Sequence, residues 1–100
     1  MSLKMLGERD PEVLQSLYRY RRTIMKDGAL SVKQKELIAL ALSSATKCDK
    51  CLTHHAEQAK AAGATNQEIL ETLEVVMYMV GPSAMIWSEE IDNVVTDSQE

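Results

Sequence analysis

The stretch Cys48-Asp49-Lys50-Cys51-Leu52-Thr53-His54-His55 decides how the rest of the chain is read. It gathers both cysteines of the protein into one C-x-x-C and puts a histidine four residues after the second. On a helix, positions 48, 51 and 55 fall at i, i+3 and i+7, which is one face. Two thiols and an imidazole then come within reach of one another, an arrangement suited to redox or nucleophilic chemistry. His54 falls about 100° around the helix from His55 and is expected at a surface or an interface.

Toward the N-terminus, Ser43 to Lys47 loses the apolar pattern, so a break is expected before Cys48. The segment ahead of it, Leu37 to Leu42, is apolar nearly all round and predicts the most buried helix. Ser31 with Gln34 three residues on is a capping-box start for that helix. Glu36 stands at its entrance. By pattern alone it reads as a solvated first-turn carboxylate that suits the helix dipole; semi-buried, it would be suited to carry a proton. Further back, a helix is predicted from Pro11 to about Lys26, with Asp27-Gly28 as its stop. Arg19, Arg22 and Lys26 share a stripe that reads as a solvated face.

Toward the C-terminus, the cysteine helix continues through Ala56, Ala59 and Ala62, small residues that allow close approach, and Gly63 ends it. Thr65 and Glu68 form a second capping box. Ile69, Leu70, Leu73, Val76, Met77 and Val80 give the following helix its apolar stripe. Gly81-Pro82 breaks it. A fifth helix is predicted through Ala84, Trp87, Ser88, Ile91, Val94 and Val95, with a frayed acidic tail from Asp97 to Glu100. Met77, Met79 and Met85 read as core filler. No period-2 alternation supports a strand, so the fold class is all-α.

The 100 residues suit a single domain, 1–100. A net charge of -4 argues against nucleic acid as a partner. No apolar run is long enough to cross a membrane, and the N-terminus lacks a secretory pattern. A cytoplasmic setting, where thiols stay reduced, is therefore expected. Only Trp87, Tyr18, Tyr20 and Tyr78 are aromatic, yet 45% of residues are hydrophobic. A thin core with surplus apolar surface predicts an obligate oligomer.

Three chemistries compete for the C-x-x-C. The first is thiol–disulfide or peroxide chemistry, helped by the helix N-terminus and by the charges of Lys47 and Lys50. On that reading Cys51, one turn before His55, is the better-activated thiol, and Cys48 can form or attack a disulfide with it. The second is a metal site. A structural zinc wants four ligands, and His54 and His55 diverge on a helix, so no metal and no cofactor are expected. The third, a thioredoxin-type fold, needs βαβ units that are not in evidence.

Glu36, eleven residues, then Cys48-x-x-Cys51-x-x-x-His55 resembles the pattern of the AhpD-like alkylhydroperoxidase branch of the carboxymuconolactone decarboxylase family. The segment Ala62-Gly63-Ala64-Thr65-x-x-Glu68-Ile69 is similar to the stretch that follows the motif in that family. The resemblance implies an all-α domain of about five helices and a homo-oligomer, trimer or hexamer, with helices packed or exchanged between subunits. It further implies that Cys51 attacks a hydroperoxide or disulfide substrate and Cys48 resolves the product. His55 would be the base or proton relay, linked to Glu36, which moves Glu36 toward a functional role. A dithiol reductant, lipoyl or thioredoxin-like, would close the cycle. The alternative is a non-catalytic oligomeric redox-sensing or binding module that uses the same pair as a switch.

Overall fold

The computed structural model describes residues 1–84 and 88–96, and those residues are helical with no strand. The predicted Trp87 and Met85 positions, and the acidic tail from Asp97 to Glu100, lie outside the described residues. A helix that the apolar spacing does not announce, α1 (Leu3–Arg9), comes first. Ser2 caps it by accepting the Met5 N–H at 3.1 Å. Next is α2 (Pro11–Ile24), capped by Asp10, with Pro11 in its first turn as expected.

α2 closes at Met25, within a residue of the expected end near Lys26, but Gly28 does not act as its left-handed stop. A lysine supplies the missing termination. Lys35 Nζ donates to the carbonyls of Ile24 at 2.8 Å and Lys26 at 2.6 Å, giving those groups partners.

Both predicted capping boxes are present, at the starts of α3 (Val32–Ala45) and α5 (Asn66–Val80). Glu68 closes the second and also holds Lys33 of α3 at 2.8 Å. The Lys33 hydrogen bond, and then the Thr65 N–H, hold the Glu68 carboxyl below the usual carboxylate range. Between these helices lies α4 (Asp49–Ala61). Its C-terminus is a Schellman motif: Ala64 N–H donates to Ala59 O at 2.8 Å and Gly63 N–H to Lys60 O at 3.0 Å. Gly63 sits at φ 98°, in the left-handed region.

The core is Leu40 of α3, Leu52, Ala56 and Ala59 of α4, Ala64, and Ile69 and Leu73 of α5, closed by Ile91. Leu40, Leu52 and Ile69 are fully buried; each such side chain contributes about 1.5–3 kcal/mol. Ala56 and Ala59 are fully buried too, and their small size lets α3 and α4 approach closely.

Three expectations are corrected here. α3 is not buried all round, because Ile38 and Leu42 are 47% and 60% exposed. Met79 is exposed rather than core filler. Of the expected fifth helix, Ser83 and Ala84 are helical, but Ser88–Ile91 is a 3₁₀ helix followed by a short α6 (Asp92–Thr96) rather than one continuous α-helix. Asn66 ties α6 down by donating to Val95 O at 2.7 Å. No helix among the described residues is long and apolar enough to cross a membrane.

Candidate active site

Cys48 is the N-cap residue of α4, and the end of α3 delivers it there. Thr46 closes α3, and Lys47 turns left-handed at φ 58°. Cys48 N–H then donates to Ser43 O at 3.0 Å, and Lys47 N–H donates to Ser44 O at 3.2 Å. This too is a Schellman closure, but on a lysine where glycine is the usual occupant. The link between α3 and α4 is therefore shorter than the Ser43–Lys47 break expected from composition.

One helical step on, the Cα atoms of Cys48 and Cys51 stand 5.3 Å apart and their sulfurs are joined as a disulfide. That Cα separation lies within the ordinary range for the bond, so α4 accommodates the oxidised pair at its first turn. Both cysteines are half-buried. Ser2, Asp10, Ser31 and Thr65 each cap the start of their helix through the side chain; α4 has no such cap. The first-turn N–H groups of α4, and the positive end of its dipole, remain available to a thiolate once the disulfide is reduced.

Glu36 is where pattern reading and structure part. Pattern alone favours a solvated carboxylate, but Glu36 is only 6% exposed. Its Oε2 lies 2.8 Å from His55 Nδ1. The reason is geometric. Residue 36 is one turn before Leu40 on α3, so it lies on the face that packs against α4. A carboxylate oxygen accepts, so Nδ1 donates to it, and in the neutral imidazole Nε2 then keeps the lone pair. His55, one turn after Cys51 on the same face of α4, is thereby prepared as a base.

His54 is half-buried, and its Nε2 lies 2.7 Å from Arg21 Nη2 of α2. Its ring meets that of His55 edge to face, with centroids 4.9 Å apart. Arg21 carried no signal in the sequence, since it lies next to the basic stripe rather than in it. Lys47 was legible only as a charge, and its backbone role was not. Among the described residues, no group of three or more His, Cys, Asp or Glu side chains is arranged to hold a metal ion.

Fold and site together define an all-helical protein with a dithiol at a helix N-terminus and a carboxylate-bound histidine one turn behind it. The profile of the carboxymuconolactone decarboxylase family matches residues 11–91, and the chain belongs to that family. It is similar to a carboxymuconolactone decarboxylase family protein of Legionella pneumophila, at 33% identity and a TM-score of 0.84 over 95% of this chain and 85% of that one. An uncharacterized protein of Cupriavidus necator is 33% identical over 87 residues, 86% of this chain and 77% of the relative. A family member from Thermotoga maritima shares the fold, with a TM-score of 0.81 at 23% identity, over 95% of this chain and 81% of that one.

Proposed function

We propose that this chain is a thiol-dependent peroxidase of the AhpD-like branch, able also to act on disulfides. The observation that carries the reading is the Cys48–Cys51 pair at the uncapped start of α4, followed by a histidine bonded to a buried glutamate.

In this reading Cys51 gives its proton to His55 Nε2, and Glu36 steadies the resulting imidazolium. The Cys51 thiolate attacks the terminal oxygen of a hydroperoxide. The O–O bond breaks, an alcohol leaves with the proton, and Cys51 becomes a sulfenic acid. The Cys48 thiol then attacks Cys51 Sγ, its proton passes to the departing hydroxide, which leaves as water, and the disulfide forms. A dithiol donor, lipoyl or thioredoxin-like, returns the pair to thiols by exchange and is itself oxidised. The unit that works is residues 1–100 as one domain, assembled with copies of itself.

Peroxide consumption with a dithiol reductant tests the reading. Cys51→Ser is expected to abolish turnover. Cys48→Ser is expected to form a sulfenic acid on Cys51, trapped once per chain by dimedone, without fast turnover. Full activity in Cys51→Ser would overturn the mechanism. Oxidation of the pair that changes assembly or partner binding without turnover would leave the redox-sensing module instead.

A further inference from the structure

Two imidazoles are spaced on α4 to reach the Cys51 thiol. His54 lies at i+3 from it and His55 at i+4, and both separations make neighbours on a helix. The structure treats the two rings differently. His55 meets a carboxylate at Nδ1, which leaves its Nε2 free to accept. His54 meets a guanidinium at Nε2. Arginine has donors only and keeps its charge throughout the working pH range. The His54 nitrogen facing it must therefore accept, and its lone pair is already in use.

We propose that Arg21 is a positioning residue acting through His54. It holds His54 with the proton on Nδ1 and Nε2 occupied, which leaves His55 as the only imidazole able to receive the Cys51 proton. The state of His54 stands on geometry alone; its consequence for Cys51 rests on the thiol chemistry proposed above. The charged groups around His54 are Asp49, Lys50 and Glu57 on its own helix, Glu90 of the 3₁₀ helix and Arg21 of α2. Glu36 of α3 reaches it only through the His55 ring.

Nitrogen-15 NMR of the imidazoles in the full chain reads the tautomer directly. Wild type is expected to show His54 protonated at Nδ1. Arg21→Met, which keeps the aliphatic stem but offers no donor, is expected to move His54 to the Nε2–H form. Arg21→Lys, which restores a cationic donor, is expected to return it. Alkylation of Cys51 by iodoacetamide, in a reduced Cys48→Ser background at neutral pH, reads the consequence. His55→Ala is expected to slow it, and adding Arg21→Met to His55→Ala to recover the rate several-fold as His54 takes over. The same tautomer with and without Arg21, or no recovery in the combined variant, overturns the proposal. Absence of peroxide turnover in wild type would instead sink the peroxidase reading, with the tautomer of His54 unaffected.

Discussion

Oε2 of Glu36 and Nδ1 of His55 stand 2.8 Å apart across nineteen residues of sequence. The contact joins α3 to α4 one turn along from Cys51. Leaving a buried carboxylate without its partner costs several kcal/mol, so the pair constrains both helices as well as the imidazole. Charge-assisted bonds of this kind are about twice as strong as neutral ones.

Glu36→Gln keeps the shape and an acceptor but removes the charge. The difference between a charged and a neutral hydrogen bond, about 1.4 kcal/mol, predicts a roughly tenfold loss of peroxidase rate. His55→Ala removes the proposed base and is expected to cost about 10²-fold or more. Steady-state peroxide consumption ranks the two, and an unimpaired His55→Ala would remove the relay from the mechanism.

The two Schellman closures give opposite expectations. Lys47 and Gly63 both occupy the left-handed region, at φ 58° and 98°. A non-glycine residue pays about 1–2 kcal/mol there, against about 0.5–1 kcal/mol of extra chain entropy for glycine. Lys47→Gly is therefore expected to stabilise by about 0.5 kcal/mol. Gly63→Ala meets no steric contact within 4 Å and should lose about 1 kcal/mol through backbone strain alone. Urea denaturation of both variants checks the pair of signs.

Glu68 makes stability depend on acid. Its carboxyl is held below the usual range by Lys33 and by the Thr65 N–H. The folded form thus ionises at lower pH than the unfolded form. The stabilisation is complete above the unfolded value, about 4.3, and is lost as the pH falls through the lower folded value. Thermal melts should show the difference between wild type and Glu68→Gln shrinking across that acid window. A difference that stays constant through it would refute the assignment.

The exposed apolar faces of α3 and α5 predict self-association. Leu42 is 60% and Tyr78 87% exposed, beside Ile38 and Met79. Scattered apolar residues are ordinary, but Ile38 and Leu42 lie one turn apart on α3, and Tyr78 and Met79 adjoin on α5, so each helix exposes an apolar patch. Sedimentation is expected to give a trimer or hexamer for wild type and smaller species for Ile38→Asp/Leu42→Asp. A monomeric wild type would contradict this.

Much of the architecture is written in local signals. Ser31 with Gln34 and Thr65 with Glu68 mark helix starts because a side chain three residues away satisfies a backbone donor, and no distant partner is needed. Gly63 marks a helix end for an equally local reason, the freedom of its backbone. The i, i+3, i+7 spacing of Cys48, Cys51 and His55 fixes their common face as soon as the segment is helical.

Other features came into view only when distant segments met. The burial of Glu36 follows from the packing of α3 on α4, and a helix dipole argument on one helix cannot see it. Arg21 bonds His54 across thirty-three residues, and Lys35 terminates α2 from a different helix. The exposure of Ile38 and Leu42 is likewise a property of which faces found neighbours. Periodicity reports which residues share a side of a helix; which sides become interior is decided by the helices that pack on them, as α3, α4 and α5 do around Leu40, Leu52 and Ile69.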